Sequence, residues 1–585
     1  MSNKLGSNIR RSVLGLVALG LVSGCTAVGE GTGVDYALPT FLDEAGMGEA
    51  IGDTLPGQYL AGRQALRERD TSAAFKYFDK AYALDSQDTY LLQNAFGAAL
   101  ADGDMDVALQ LARELEKRDE MDDTIGLVLA LDALRSKQYE QVQERLADLR
   151  LQGVNILLKP VLTAWTDIAQ GKTDLAVGQL ESLDNYEGFK LLKSYHLALI
   201  AHAAGNAELA QQQYELALKG PAGQAVRLVQ SYGIFLIEQG KREAALKLFS
   251  DYQERYPASP TMSALLETLD GGGNIKPLIS NPIEGAAEAL YSSAAIIGQE
   301  RANGTSITLS YFALMLRPEF PVAYVLLAEI AEDQDQYEKA HLFYSKVAQS
   351  SPYYRNAQIR KSWLAYKLGQ DQDAISNLKA IAVQNPNDAE PLVVLADIYR
   401  DRQDWQQAAE AYGQAISKLE EGAPRLWSLL YARGIAYERM KSWDEAEADL
   451  VKAMELRPNH PQILNYLGYS WVDRGENLEE AKELLIKAVS LRPRDGYIVD
   501  SLGWLYYRIG DFENAVLQLE KAVSLQAADP TINDHLGDAY WRVGRFGEAR
   551  YQWQRALWLD PEEDQIPLIR EKLQNGLPPE VPRKE

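Results

Sequence analysis

Cysteine is nearly absent from this chain of 585 residues, because Cys25 is the only one. A single thiol cannot form an internal disulfide, and it cannot supply the several cysteines of a structural zinc site. Histidine is scarce as well, and none of the five stands in an HExxH pattern or four residues from a second ligand type. The sequence also lacks a GxSxG elbow, a Rossmann fingerprint and a CxxC motif. We therefore expect no enzyme, no metal site and no cofactor.

Positive charge is the second shortage. The 59 Lys and Arg residues face 83 Asp and Glu residues, which gives a net charge of −24. Nucleic-acid binding requires clustered basic residues that neutralise phosphates, so we expect no nucleic-acid partner. The acidity itself has two interpretations, which the sequence leaves open. One is a well-solvated surface, and the other is a groove that attracts basic protein partners.

The amino terminus carries a short apolar run, residues 12–21, after three basic residues. The run is too short for a membrane span and ends in small residues, so residues 1–24 are predicted to be a signal peptide. The ending V-S-G-C at residues 22–25 resembles a bacterial lipobox. This resemblance implies cleavage before Cys25 and acylation of that residue. An ordinary signal peptide that happens to contain a cysteine is the alternative.

Two further features concern the anchor. Position 26 is Thr26 and not Asp, which in enterobacterial-type sorting implies the outer membrane, with the protein facing the periplasm. Residues 25–56 contain six glycines, from Gly29 to Gly52, and show little apolar periodicity, so we predict a flexible tether. Several acyl chains on one residue give a durable attachment that a single chain does not.

A small residue recurs about every 34 positions through most of the remaining chain. Eleven of the twelve steps within two blocks are 34 or 35 residues, and the other step is 38. Apolar residues around each position follow a helical spacing that a short turn interrupts, so each unit is predicted to be an antiparallel helix pair. Such a pair cannot bury its apolar face without neighbours. The predicted fold is an all-α solenoid of about 14 units. The recurring residues are Ala74, Ala108, Val142, Ala176, Ala210 and Ala245, then Ser306, Ala340, Ala374, Ala408, Ala446, Ala481, Ala515 and Ala549.

The same spacing predicts the domain organisation. About six repeats occupy residues 57–258 and about eight occupy residues 286–575, with a seam at 259–285 and a proline-rich tail at 576–585. The seam contains three glycines at 271–273. Asn281, Pro282 and Glu284 then have the pattern of an N-cap and a first helical turn. The seam is a loop without a role, a hinge or a partner-binding loop, and the sequence does not choose among them.

The last repeat, residues 529–561, carries the clearest pattern. Its first helix contains Leu536, Gly537 and Tyr540, and its second contains Ala549 and Trp553 before a closing proline. These residues resemble the tetratricopeptide repeat (TPR) pattern. Gly537 and Ala549 leave room for two helices to approach closely. The resemblance implies a right-handed superhelix whose first helices line a concave groove for protein or peptide partners.

The resemblance also implies which positions of each first helix face that groove. In the last three repeats these positions are rich in Trp, Tyr and Arg, the residues that dominate interaction hot spots. Any of the aromatic residues could instead pack between repeats, and this stays open. In the last repeat we expect the groove residues to be those that packing leaves free. The predicted groove residues are Asn465, Tyr469, Asp473, Tyr497, Asp500, Trp504, Tyr507, Arg508, Asp534, Asp538, Trp541 and Arg542.

Residues 500–506, 534–541 and 548–553 are similar to the carboxy-terminal part of large TPR lipoproteins of Gram-negative bacteria. One branch of that group is an outer-membrane adaptor for a periplasmic carboxyl-terminal processing protease that restrains cell-wall hydrolases. The resemblance implies a lipid-anchored scaffold that delivers such hydrolases to a protease. A structural component of an export or assembly machine, for polysaccharide secretion or β-barrel assembly, is the alternative. The expected partners are proteins or peptides, together with the membrane that the lipid anchor reaches.

Overall fold

The computed structural model describes residues 54–186, 189–219, 225–256, 259–299 and 303–579. The predicted signal peptide, Cys25 and nearly all of the predicted tether lie outside these residues. The described residues fold into thirty α-helices and one 3₁₀ segment, with no strand among them, so the predicted all-α fold class is confirmed. No helix in this part of the chain combines the length and the hydropathy that a membrane span needs.

Contacts divide the chain into two compact units, Met1–Lys361 and Ser362–Glu585. The helices of the first unit are α1 (Leu55–Arg67), α2 (Thr71–Leu84), α3 (Thr89–Asp102), α4 (Met105–Lys117), α5 (Asp123–Arg135), α6 (Tyr139–Asp148), α7 (Asn155–Ala169), α8 (Thr173–Gln179), α9 (Lys190–Ala203), α10 (Ala207–Leu218), α11 (Val226–Glu238), α12 (Arg242–Arg255), α13 (Pro260–Asp270), α14 (Pro282–Gln299), α15 (Asn303–Leu316), α16 (Pro321–Asp333) and α17 (Tyr337–Ser345). The 3₁₀ segment, Leu180–Asn185, follows α8.

Helix α18 (Tyr354–Lys367) contains the boundary between the units. The helices of the second unit are α19 (Asp371–Gln384), α20 (Glu390–Asp401), α21 (Trp405–Ile416), α22 (Leu426–Arg439), α23 (Trp443–Leu456), α24 (Pro461–Arg474), α25 (Leu478–Leu491), α26 (Gly496–Ile509), α27 (Phe512–Leu525), α28 (Pro530–Arg542), α29 (Phe546–Trp558) and α30 (Gln565–Asn575).

Fourteen consecutive helix pairs account for all of these helices except α13 and α30. The fourteen recurring small residues all lie in the second helix of a pair, and each is at most 1% exposed. Their size is required because the two helices of a pair touch there. A Cβ added to Gly537 would lie 2.5 Å from the Trp553 ring, and one added to Gly468 would lie 3.0 Å from Leu485. The predicted number and register of the repeats are confirmed.

Local signals set the ends of these helices. In the last pair, Asp529 caps α28 by accepting the amide N–H of Ile532 at 3.0 Å, and Pro530 fits the first turn, where no helical N–H partner is needed. The chain leaves α28 through Gly544, which has a φ of +80°. This left-handed backbone conformation favours glycine and turns the chain into α29.

The seam belongs to the first unit and does not separate the two units. Helix α13 buries Met262, Leu265 and Leu269 in the core of the first unit. Asn281 caps α14 as predicted, because its Oδ1 accepts the amide N–H of Glu284 at 3.0 Å. The unit boundary at residues 361–362 therefore differs from the predicted division at 259–285. The reason is that α13 and the α14–α15 hairpin pack against the preceding repeats.

The α14–α15 hairpin lies across the first helices of earlier repeats. Helix α14 contacts α7 and α9, and α15 contacts α3 and α5. Gly285 of α14 lies so close to the ring of Trp165 that a Cβ there would clash, and Tyr311 of α15 packs in the same way on Gly103. The first unit thus covers its own first-helix surface.

A buried ion pair fastens this hairpin. Glu288 of α14 has no exposed surface, and it accepts from Arg227 Nε of α11 and from the Tyr195 hydroxyl, each at 3.1 Å. Burial alone would raise the pKa of Glu288, but the Arg227 guanidinium outweighs burial and the pKa is lowered. Beside this pair, His196 Nε2 is 2.9 Å from Ser292 Oγ of α14.

Further contacts join α17 and the residue before it to the first repeats of the same unit. Gln336, which precedes α17, donates to the carbonyl of Arg69 at 2.8 Å. Lys339 Nζ lies 2.9 Å from Thr71 Oγ1 and 3.5 Å from Asp102 Oδ1. The eighth repeat therefore touches the first within the described part of this unit.

Candidate protein-interaction groove

In the second unit the corresponding surface is formed by the first helices of successive pairs, α20, α22, α24, α26 and α28. Helices α20 to α26 pack against their own and neighbouring repeats, and no hairpin from elsewhere in the described part of this unit covers them. All twelve predicted groove residues lie on α24, α26 and α28. Their surroundings differ along the surface.

An aromatic stack stands at the centre of the set. The ring of Trp504 lies 4.8 Å from Tyr507 at an interplanar angle of 8°, and 4.0 Å from His535 at 12°. His535 Nδ1 is 3.0 Å from Asp500 Oδ1, and both residues are buried. Burial opposes a charge on His535, yet the Asp500 carboxylate raises its pKa overall. Asp500 thus acts as the partner of a structural histidine.

Neighbouring repeats are linked by a ladder of hydrogen bonds between residues 35 positions apart. Arg508 donates to the backbone carbonyl of Asp473 at 3.1 Å, while the Asp473 side chain stays 65% exposed. Arg542 Nε donates to the Tyr507 hydroxyl at 3.4 Å. Three predicted groove side chains therefore help to hold adjacent repeats together, in addition to any contact with a partner.

The predicted groove residues on α24 and at the start of α26 form fewer hydrogen bonds within the chain. Asn465, Tyr469 and Tyr497 are all half-buried. Asn465 Oδ1 has no hydrogen-bond partner, and neither does Trp504 Nε1, although both atoms are buried. Burial, followed by the nearby Asp500 carboxylate, raises the pKa of Tyr469, so its hydroxyl stays protonated. Tyr497 accepts from Gln526 at 3.3 Å.

The last repeat differs from the prediction, because two of its acidic residues are not left free. Asp534 and Asp538 are only 8% and 4% exposed. Lys572 of α30 donates to Asp534 Oδ2 at 2.7 Å and to Asp538 Oδ2 at 2.8 Å. Asp538 Oδ1 also accepts from the indole N–H of Trp553 at 2.8 Å. The interpretation that packing leaves these carboxylates free is therefore wrong, since packing within the chain uses both.

The other two predicted residues of this repeat contact Gly576 and Pro578, which follow α30. Arg542 Nη1 donates to the carbonyl of Pro578 at 2.7 Å. Gly576, with a φ of +72°, lies against the ring of Trp541, and a Cβ there would clash with it. Arg550 also lies near Trp541, with its guanidinium carbon 5.0 Å from the ring centre. Trp541 and Arg542 are half-buried beneath the chain's own tail.

The sequence-based set omitted residues at both ends of this surface. Lys572 gave no signal, because a lone lysine in a helix after the last repeat looks like a solvated residue. The equivalent positions of earlier repeats did carry the 34-residue spacing, and they make similar contacts, for example Tyr366 with Asp401 at 2.8 Å. The earlier residues at these positions are Trp363, Tyr366, Lys367, Asp397, Arg400, Tyr431 and Glu438.

A family model described as "Tetratricopeptide repeat" matches residues 359–424, 431–496 and 501–563. The matched segments are therefore tetratricopeptide repeats. Ten of the twelve predicted groove residues lie within the matched segments, and Tyr497 and Asp500 lie in the short gap between two of them. Tetratricopeptide repeats form scaffolds for protein–protein interaction, and the fold is typically non-catalytic. In the described residues, no group of three or more His, Cys, Asp or Glu side chains is arranged to hold a metal ion.

Two curated proteins are similar to parts of this chain. The TPR repeat-containing protein PA4667 of Pseudomonas aeruginosa is 30% identical over 152 residues, which cover 26% of this chain and 25% of that protein. The general transcriptional corepressor ssn6 of Schizosaccharomyces pombe is 29% identical over 138 residues, 23% of this chain and 12% of that protein. The chain thus spans a quarter or less of each of these relatives.

Two solved structures contain chains that are similar to this one. The APC/C hetero-tetramer Cut9-Hcn1 contains a chain with 14% identity, covering 89% of this chain and 96% of its own, at a TM-score of 0.36. MamA from Desulfovibrio magneticus RS-1 has 22% identity over 30% of this chain and 97% of its own, at a TM-score of 0.27.

Proposed function

We propose that this protein is a lipid-anchored periplasmic adaptor that binds an extended protein segment on the first-helix surface of α20 to α26. The observation that carries the proposal is the contrast between the two units. The first unit covers its first helices with α14 and α15, whereas the second unit leaves those of α20 to α26 uncovered in its described part. We therefore assign partner binding to the second unit.

The side chains of this surface support an extended peptide as the ligand. A peptide backbone offers one N–H donor and one carbonyl acceptor per residue. Asn465 Oδ1 is an acceptor without a partner, and Trp504 Nε1 is a donor without one. An unpaired buried polar atom costs about 1–3 kcal/mol, so a ligand that forms hydrogen bonds with these two side chains recovers part of that free energy. The stacked rings of Trp504 and Tyr507 supply apolar contact area beside them.

The proposed partners are a periplasmic processing protease and its cell-wall hydrolase substrates. The support for this choice is the similarity of residues 500–553 to the carboxy-terminal part of adaptor lipoproteins, together with the lipobox-like ending at Cys25. An adaptor needs no chemistry of its own. By holding two partners at one membrane it raises their effective concentration, which increases their encounter rate without new contacts between them.

The proposal is tested by capture of partners in cells. The full chain is crosslinked mildly and purified, and the captured proteins are identified by mass spectrometry. We expect a periplasmic protease or hydrolase with the wild-type chain, and at least a tenfold lower recovery with Asn465→Ala combined with Trp504→Phe. The matched control is Trp558→Phe, since Trp558 is 72% exposed on α29 and outside this surface.

Trp504→Phe keeps a ring in the stack but removes the indole N–H, so it tests the donor and not the fold. Two results would contradict the proposal. One is that the wild-type chain captures no periplasmic protein, and the other is that the double variant captures its partner as well as the wild type does.

A further inference from the structure

Residues 572–578, which follow the last repeat, occupy a pocket on its first-helix surface. We call Asp534 and Asp538 the carboxylate pair and residues 572–578 the tail segment. The tail segment places Lys572 between the two carboxylates and Gly576 against Trp541. The pocket therefore already holds a ligand-like stretch of polypeptide, with a cation at one end.

The carboxylate pair has more acceptor capacity than the tail segment uses. Its four oxygens receive two bonds from Lys572 and one from Trp553. The fourth, Asp534 Oδ1, is buried and has no partner. Asp534 as a whole is more than nine-tenths buried. One ammonium thus leaves a charged acceptor unpaired, and such an atom favours a ligand with more donors.

The pKa of Asp538 also indicates that the carboxylate pair can interact with more positive charge than Lys572 supplies. Burial and then the neighbouring Asp534 raise the pKa of Asp538 to about 6, against the opposing effect of Lys572. The other charged or titratable groups around the pair are His535, Tyr507 and Arg542, which act within the same pocket. The pair is therefore incompletely neutralised by the single lysine that it holds.

The tail segment and α30 also make few buried contacts with the rest of the second unit. In α30 only Ile569 is fully buried, whereas α26 and α28 bury eight and nine residues. Beyond α30, Arg542 holds the tail through the Pro578 carbonyl. Elements with few buried apolar contacts open at the lowest free-energy cost, so the tail segment is the part of this unit that exchanges most easily.

We propose that the carboxylate pair is a binding site for an arginine or lysine side chain of a partner protein, and that the tail segment fills this site in cis as a tethered competitor. An arginine fits best, because its guanidinium has five donors in a fixed fork and reaches Asp534 Oδ1 in addition to the oxygens that Lys572 uses. The inference shares with the proposed function the first-helix surface of the second unit, and it rests on that surface being the one that binds partners.

The test uses the tail's own sequence as the probe. A fluorescein-labelled peptide of residues 568–579 is titrated with the full chain, and binding is followed by anisotropy. The wild-type chain is expected to bind weakly, since the tethered segment competes at an effective concentration in roughly the millimolar range. A chain with Lys572→Met and Gly576→Ala loses both cis contacts, and we expect it to bind at least tenfold more tightly.

Two controls make the result specific. Gly544→Ala adds the same methyl group at a similar positive φ, but nothing lies within 4 Å of it, so it should leave the weak binding unchanged. Asp534→Asn in the opened chain should reduce binding at least tenfold. A probe that carries Lys572→Arg should bind the opened chain more tightly than the original probe.

Either of two outcomes would overturn the inference: the opened chain binds the probe no better than the wild type, or Asp534→Asn has no effect. If the opened chain loses helical circular dichroism, hydrogen exchange on the wild-type chain decides instead. Excess arginine probe should then speed exchange in residues 565–575, and unchanged exchange would mean that the segment is only a structural cap.

These experiments separate the two proposals. Trp504→Phe with Asn465→Ala should reduce partner capture but leave the probe's affinity for the opened chain unchanged. Asp534→Asn should reduce the probe's affinity by at least tenfold. Failure of partner capture therefore leaves the probe result interpretable, and failure of the probe leaves the capture result interpretable.

Discussion

Replacing the packing glycine of the last repeat tests whether steric space sets the register of the array. In Gly537→Ala, the new Cβ would lie 2.5 Å from Trp553 Cδ1 and Nε1 and 3.1 Å from the backbone oxygen of Ala549. Trp553 is completely buried, and its indole N–H is bonded to Asp538. The ring cannot move aside without losing that hydrogen bond, so the methyl group must be accommodated by separating α28 from α29.

The expected magnitude follows from two opposing effects. Alanine is favoured over glycine within a helix by about 0.5–1 kcal/mol. Overpacking a well-filled contact costs about 1–3 kcal/mol. For Gly537→Ala we expect a net loss of about 0.5–2 kcal/mol. For Gly468→Ala, where the nearest atom is Leu485 Cγ at 3.0 Å, we expect a change within about 0.5 kcal/mol, because the two effects nearly cancel.

Gly97→Ala is the matched control, because Gly97 lies inside α3, is exposed and has no atom within 4 Å of the added Cβ. This variant should gain the full helical preference, about 0.5–1 kcal/mol. Repeat arrays need not unfold in two states, so the free energies should be measured locally, by native-state hydrogen exchange of the helix that carries each substitution. If Gly537→Ala were as stable as Gly97→Ala relative to the wild type, the steric explanation of the register would be wrong.

Three further predictions follow from other parts of the chain. Glu288→Gln should destabilise the first unit by about 3–5 kcal/mol, because it leaves Arg227 buried without a counter-charge, and limited proteolysis should then cut at α14. Asp500→Asn should lower the free energy of unfolding most below pH 6.5. The raised pKa of His535 means that its interaction with Asp500 stabilises the fold fully below that pH, and this stabilisation is lost as the pH rises through the folded-state pKa. Thermal melts at several pH values measure the difference. Labelled palmitate should enter the wild-type chain but not Cys25→Ala, and labelling of both would contradict the lipid anchor.

The sequence was sufficient to predict the fold because the steric requirement for packing two helices is local and recurs in every repeat. Each pair needs a residue without bulk where its two helices touch, and that requirement leaves a mark such as Ala549 every 34 or 35 positions. The same reasoning predicted the start of α14 at Asn281, since a cap depends only on residues within one turn. Even Ser306, the one polar residue of the series, is completely buried, because its hydroxyl donates to the Ala294 carbonyl at 2.7 Å.

The sequence indicated which residues belong to the candidate site, but it did not indicate which of them the chain itself covers. Repeat periodicity indicates which residues of a first helix face the shared surface, and it says nothing about what covers them. Lys572 lies 34 residues after Asp538, but in a helix outside the recurring series of repeats. Arg227 meets Glu288 across 61 residues, a separation that is not the repeat spacing. The unit boundary was missed for the same reason, since it depends on where the α14–α15 hairpin folds back.

The two covered surfaces have a common physical origin. The first helices of a repeat array form a surface rich in aromatic and charged groups, and in the last repeat this surface includes the Asp534 and Asp538 carboxylates. In each unit the chain supplies a cation–carboxylate contact to the covered part, Arg227 to Glu288 in one and Lys572 to the carboxylate pair in the other. The contacts differ in completeness, because Glu288 accepts several donors whereas Asp534 keeps one oxygen unpaired. The first contact therefore closes its surface, and the second leaves acceptor capacity that a partner's arginine can use.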